Sequence, residues 1–310
     1  MTLIILLIVL ITERVALQGH HWRVERYLVW YVKNCSKSVL KKADDSLGLF
    51  IFIGIPALVF GLVMAFLDSD IIDFIFGILV LAVCVGNSVV RAYYRQYLNA
   101  HNRKDKEAQE ILRAKLAMTD NGETEFFHSD EENDKTNVDD GPIESEAQEK
   151  PRQLGDDLNF GQILIWNNFK YYAAPIFYYV IFGVPGVVFF VTLLYLVESQ
   201  QLNRQIENLD YLKGAQKTLE TWLEWAFWLP SRLVAVGFMF VGHFSHGLEA
   251  WLKMAADTKV SSQNMVCEVA MAAETSHHEY NAKHMVSLAK RNMGFFLVIV
   301  ALLTLYGQIV

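Results

Sequence analysis

Charge is absent from five long stretches of this chain. Met1–Thr12, Ser46–Leu67, Phe74–Val90, Tyr171–Val197 and Asn292–Val310 contain no Asp, Glu, Lys or Arg. Helices in a soluble core keep a polar stripe on one face, and runs this long without one are suited to cross a bilayer. The pattern predicts spans near 1–17, 46–67, 71–92 and 292–310. The run at 171–197 is different. As one straight helix its 27 residues would reach about 40 Å, against a hydrocarbon core of about 30 Å. Gly183-Val184-Pro185-Gly186 sits at its centre, and Pro185 has no N–H for the carbonyl of Ile181. Two short helices meeting at a break are expected. Irregular backbone at that depth must be buried in protein or line a cavity.

The polar stretches between these runs give the orientation. From Arg14 to Lys42 there are seven Lys or Arg, and Glu13, Glu25, Asp44 and Asp45 stand against them. An excess of bases in a short loop marks the cytoplasmic side, so the N-terminus is expected outside. Asp68-Ser69-Asp70 and Asp73 close the next hairpin with no base, which puts that turn outside as well. Tyr93 to Leu116 has apolar residues at Tyr94, Leu98, Ile111, Leu112 and Leu116, a pattern for a cytoplasmic amphipathic helix. Pro230 fits a first helical turn, and it is expected to open an uncharged helix over 230–248. If the broken run and this helix both dip in and return, the chain has four spans. If both cross, it has six, and charge counting does not separate the two.

Composition changes the picture in one place. The net charge is −7, but Asp120–Asp157 alone holds 14 acids and 3 bases, which leaves 20 acids and 24 bases elsewhere. Residues 119–157 form an acidic insertion, expected to be disordered and cytoplasmic because so few core-forming residues cannot offset the entropy of ordering it. It separates a membrane domain over 1–118 from another over 158–310. The mildly basic body has no cluster that interleaves bases with aromatics, so no nucleic-acid partner is expected. The bilayer itself is the first partner. Cys35, Cys84 and Cys267 are too widely spaced for a zinc motif, and no P-loop, GxSxG, HExxH or dinucleotide fingerprint occurs.

Some groups carry chemistry. His243 and His246 have a spacing that could share a metal, with His277, His278 and His284 as partners, or they are interfacial residues near a helix end. Glu13, just after the first span, and Arg232, at the head of the Pro230 helix, are ionisable groups at membrane depth, which normally face a partner or a wet cavity. They fit an arginine snorkelling to the interface, a structural pair between Glu13 and an arginine, or a bound anion.

Leu10-Ile11-Thr12-Glu13-Arg14 with His21-Trp22, Tyr97-Leu98, Asn168-Phe169 with Ala174-Pro175 and Phe177, Trp228 with Pro230, Arg232 and Leu233, and the tail Ala301–Gly307 together carry a resemblance. Over nearly its whole length the chain resembles the AmpE family of Gram-negative inner-membrane proteins, implicated in control of β-lactamase induction. The acidic insertion has no counterpart in that pattern. The AmpE family is in turn similar to the cobinamide-phosphate synthases, membrane enzymes that use ATP and Mg²⁺. The shared frame is Ala-Pro-x-Phe at the start of the broken run, Gly-x-Pro-Gly at its centre, and Pro-x-Arg-Leu at Pro230–Leu233. The synthase Gly-Asp-Pro after the first span is replaced around Gly19-His20-His21, its Arg-Asp pair is at best Arg103-Lys104-Asp105, and its Glu-Asn-x-x-Asp reads Trp166-Asn167-Asn168-Phe169-Lys170.

These features imply an all-α, polytopic inner-membrane protein: a helical bundle with a re-entrant broken helix pair and cytoplasmic amphipathic helices. The expected function is regulatory. The protein would modulate β-lactamase induction or cell-wall recycling by binding an anionic small molecule or a cell-wall-recycling protein. No cofactor is expected, and Glu13, His21, Asn168 and Arg232 are expected to line the pocket. In the rival reading the chain is a synthase, with Glu13 and Asp105 on Mg²⁺ and Arg103 and Arg232 on the phosphates of ATP. A transporter built on a midplane broken helix would want a second one in an inverted half, and none is found.

Overall fold

The computed structural model describes residues 2–15, 24–34, 46–67, 69–118, 160–201, 212, 214–257, 260–274 and 282–306. His21, His277, His278 and the acidic insertion lie outside the described residues. Among the described residues every regular element is helical, which is the expected class. In order they are α1 (Thr2–Val15), α2 (Val24–Asn34), α3 (Ser46–Leu67), α4 (Asp70–Cys84), α5 (Ser88–Arg103), α6 (Lys106–Met118), α7 (Phe160–Asn168), a wide π-turn (Phe169–Ala173), α8 (Ala174–Gln201), α9 (Gln216–Val241), α10 (Phe244–Met254), α11 (Ser262–Ala273) and α12 (Ala282–Leu305).

Ser46–Leu67, Phe160–Gln201 and Lys283–Leu305 are each long and apolar enough to cross a membrane. Their outer faces agree with that use: Leu58, Leu62 and Phe66 on α3 and Leu302 and Leu305 on α12 are exposed. The middle stretch, however, is folded back on itself. Twenty-eight residues of straight helix would separate Lys170 from Glu198 by about 42 Å, yet their charged groups lie 2.9 Å apart. The rings of Tyr178 and Phe190 stack at 4.7 Å. The reversal occurs at Gly183, with φ 66° and ψ −154°, a conformation that is essentially restricted to glycine. Pro185 then falls in the first turn of the second arm, where its missing N–H is no loss. The first arm pairs with α4, since Gly86 N–H bonds the Tyr171 carbonyl at 2.8 Å and Gly77 lies against the Tyr179 hydroxyl. The ends of α8 therefore open toward Gly86, and its tip points toward the acidic turn ahead of α4.

Three expected elements are corrected. The span at 71–92 is broken, because Gly86 takes φ 93° and Asn87 Oδ1 accepts from Val89 N (2.9 Å) and Val90 N (3.3 Å) to start a new helix. The two halves, α4 and α5, meet at 50°. The single amphipathic helix over Tyr93–Leu116 is two helices. Lys104 turns left-handed at φ 59°, and Asp105 Oδ1 accepts from Ala108 N at 3.0 Å to cap α6. Last, Pro230 does not open a helix; it lies inside α9, which ends before Gly242, so the expected helix over 230–248 is the end of α9 plus the start of α10.

A proline in a helix interior orphans the carbonyl four residues earlier. Here that carbonyl is Ala226, and the Tyr178 hydroxyl donates to it at 2.8 Å. The same arrangement recurs in α3, where Pro56 orphans Phe52 and the Tyr31 hydroxyl donates to that carbonyl at 2.8 Å. Each proline is tolerated because a phenol from a neighbouring helix replaces the missing N–H.

The core is aromatic at its centre. Phe227 of α9 touches Trp166, Phe169 and Phe190, with ring centroids 5.2–5.6 Å apart. Behind it α11 is buried along Met265, Val266, Cys267, Val269, Ala270 and Ala273.

Candidate functional site

The π-turn between α7 and α8 carries Phe169-Lys170-Tyr171-Tyr172-Ala173. Such wide turns recur at functional positions, and this one aims three consecutive polar side chains at two buried carboxylates. Lys170 is only 2% exposed. Its Nζ pairs with Glu198 Oε1 at 2.9 Å and lies 4.7 Å from the centre of the Tyr171 ring. The Tyr171 hydroxyl donates to the same oxygen at 2.9 Å. Tyr172 donates instead to Glu13 Oε1, at 2.6 Å.

Glu13 sits in the last turn of α1, where a negative charge meets the negative end of the helix dipole. Arg91 opens α5, where a positive charge is equally misplaced. Each corrects the other: Arg91 Nη1 reaches Glu13 Oε1 at 2.9 Å and also donates to the Glu13 backbone carbonyl at 2.8 Å, one of the carbonyls the helix end leaves over. Gly86 permits the approach. A Cβ there would stand 2.7 Å from Glu13 Oε1. The two clusters share the π-turn backbone through the bond from Gly86 N–H to the Tyr171 carbonyl. Removing one member of such a buried pair costs about 3–5 kcal/mol.

Arg232 belongs to a separate cluster. It is 6% exposed and stacks 4.4 Å over Trp228. Its Nε donates to Ala255 O (3.1 Å), Nη1 to Trp228 O (3.1 Å) and Ser231 Oγ (3.4 Å), and Nη2 to Asp257 O (3.1 Å). Four of its five N–H groups are thereby engaged. Glu224, two turns earlier in α9, accepts from Ser262 N at the start of α11. One face of α9 thus sets a cation at the end of α10 and an anion at the start of α11, both favoured by the helix dipoles.

Of the expected pocket residues, Glu13 is in the π-turn centre, and Asn168, half-buried, is the residue immediately before that turn. Its neighbour Asn167 donates to the Leu116 carbonyl at 3.3 Å, tying α7 to the end of α6. His21 lies outside the described residues. Arg103 is exposed at the end of α5 and Asp105 is exposed as the cap of α6. Glu13, by contrast, is buried. His243 and His246 are exposed with ring centroids 6.2 Å apart. Among the described residues no group of three metal-binding side chains forms.

Sequence reasoning missed Arg91, Lys170, Tyr171, Tyr172 and Glu198 as site members. A usable signal was present. Lys170 and Glu198 are the opposite charges bounding the Gly183-centred run, with arms of nearly equal length, and a hairpin must bring such ends together.

The family model described as "Regulatory signalling modulator protein AmpE" matches residues 1–310. The Protein AmpE of Shigella flexneri is 26% identical over 315 residues, covering 100% of both chains. No solved structure matches.

Proposed function

We propose that this chain, which belongs to the AmpE family of regulatory signalling modulators, acts in the bacterial inner membrane to modulate β-lactamase induction or cell-wall recycling. The π-turn centre is its signalling element. The observation that carries this reading is the state of its charges. Glu13 and Glu198, the buried carboxylates nearest the expected site, are each joined to an internal cation and a phenol. A synthase needs carboxylates directed at a metal and cations directed at phosphates. Here the position that the synthase pattern fills with Asp carries Lys170, and that lysine neutralises Glu198. The arrangement favours a scaffold that couples helices over one that performs phosphate chemistry.

The same geometry supports a membrane arrangement. Both arms of α8 open at the end where Glu13 and Arg91 lie, and the base-rich first loop assigns that end to the cytoplasm. The arms, residues 171–182 and 184–198, extend about 18 and 22 Å, less than the roughly 30 Å core. The hairpin therefore dips in and returns, the N-terminus is outside, and an anionic ligand or a protein partner approaches from the cytoplasm. To test this, chromosomal Glu13→Gln and Lys170→Met variants are assayed for β-lactamase induction, alongside calorimetry of the purified wild type with Mg²⁺-ATP. Altered induction with no nucleotide heat supports the regulator. Saturable Mg²⁺-ATP binding that Glu13→Gln abolishes would overturn it in favour of the synthase.

A further inference from the structure

The short helix α2 has two faces of different chemistry. Leu28 and Val32 are buried against the body, and the Tyr31 hydroxyl fixes the helix to the Phe52 carbonyl of α3. The opposite face carries Arg26, Trp30 and Lys33, spaced i, i+4 and i+7, with Tyr27 beside them, and all four are exposed. Trp30 is 66% and Tyr27 54% exposed. A tryptophan bracketed by two cations along one helical stripe is an uncommon surface for water to cover.

The position of α2 says what covers it. It is attached to the second turn of α3, and at that level α3 exposes Leu47, Phe50 and Ile51, residues suited to acyl chains. The aromatic-cationic stripe is therefore level with the first turns of a helix long and apolar enough to span. That is the depth of the headgroup layer, where Trp and Tyr concentrate and where amphipathic helices with basic faces lie in the plane. We propose that the Arg26–Trp30–Lys33 face is a binding site for anionic phospholipid headgroups, with the phosphate between the two cations and the rings at the glycerol level. The sequence around the helix agrees in charge, since Arg14, Arg23, Lys37, Lys41 and Lys42 flank it. A protein partner would not need the site to be level with acyl-facing residues.

The test uses the full-length protein in nanodiscs, either zwitterionic or with about a third of the lipid anionic. Native mass spectrometry reads retained anionic lipid, and fluorescence quenching by lipid brominated high on its acyl chains reads the depth of Trp30. The Trp30 signal is isolated from the seven tryptophans by subtracting Trp30→Phe. Wild type retains anionic lipid selectively. Arg26→Gln/Lys33→Gln lowers that selectivity roughly 30-fold, equivalent to about 1 kcal/mol per base, with its melting temperature in neutral lipid unchanged. Trp30 is quenched in both lipids. Equal retention of both lipid types by wild type, or unchanged selectivity in the double variant, would overturn the proposal. So would a Trp30 that brominated lipid does not quench, which would mark the face as open to a water-borne partner. Displacement of the lipid by millimolar inorganic phosphate would reassign the site to a soluble anion.

Discussion

The pairing of Tyr178 with Pro230 can be tested by removing a single oxygen. Tyr178→Phe keeps the ring that stacks on Phe190 at 4.7 Å and deletes only the hydroxyl that donates to Ala226 O. The carbonyl is then orphaned, because Pro230 offers no N–H. An unsatisfied buried acceptor costs about 1–3 kcal/mol, and interhelical hydrogen bonds in membrane proteins average about 0.6 kcal/mol, so a loss of about 1–2 kcal/mol is expected. In a Pro230→Ala background the new alanine N–H bonds Ala226 O, and the same Tyr178→Phe change should cost under about 0.5 kcal/mol, near the additivity error of such cycles. The coupling between the two substitutions is then about 1 kcal/mol, a factor of about five in the unfolding equilibrium. The assay is reversible unfolding of the four proteins in mixed micelles, titrated with anionic detergent and followed by tryptophan fluorescence. Equal costs of Tyr178→Phe in the two backgrounds would refute the compensation. The Tyr31 and Pro56 pair provides a repeat of the cycle in α3.

Lys170→Met should lower stability by about 3–5 kcal/mol by leaving Glu198 unpaired, and Lys170→Met/Glu198→Leu should recover most of it in the same unfolding titration. Gly86→Ala meets both a positive φ and Glu13 Oε1 at 2.7 Å, so it should cost about 2 kcal/mol or more, while Gly294→Ala, with nothing within 4 Å of its Cβ, should be neutral or stabilising by about 0.5–1 kcal/mol. Arg232→Lys replaces a fork holding Ala255, Asp257 and Trp228 carbonyls with a single ammonium, and faster proteolysis at the 255–261 connection is expected without loss of the π-turn centre. A cysteine at Asn208, in an otherwise cysteine-free protein, should resist a membrane-impermeant thiol reagent in permeabilised intact cells until lysis. Prompt labelling would put that segment outside and remove the re-entrant hairpin.

How much was readable before the structure depended on whether the signal was local. The charge-free runs are local, and helices occupy them, although the run Phe74–Val90 is divided between two. The break at Gly183 was legible because Gly and Pro act on their own backbone. Pro230 was misread for the opposite reason: whether a proline starts a helix or sits inside one depends on a donor supplied by Tyr178, 52 residues away. The bend at Gly86 was hidden inside an apolar run, where its left-handed backbone leaves no mark on hydropathy. Glu13 was recognisable as a costly charge needing a partner, but its partners come from α5 and the π-turn. Arg232 was recognised as an ionisable group at membrane depth. What sequence could not supply was that backbone carbonyls of the α10–α11 connection would satisfy it.

The contacts of Glu13 also bear on how the protein is made. Its arginine partner lies 78 residues further along and its tyrosine partner 159. At about 5–20 residues per second of synthesis, the first helix waits roughly 8–32 s for Tyr172 to emerge, and α8 waits only about 1–6 s for Glu198 to reach Lys170. Tyr172 is nevertheless made 26 residues ahead of Glu198, so Glu13 can be captured before the hairpin is locked by its own ion pair. A chain cut within the acidic segment leaves Glu13 without the Tyr172 hydroxyl, so the N-terminal piece expressed alone should be degraded faster than the intact chain.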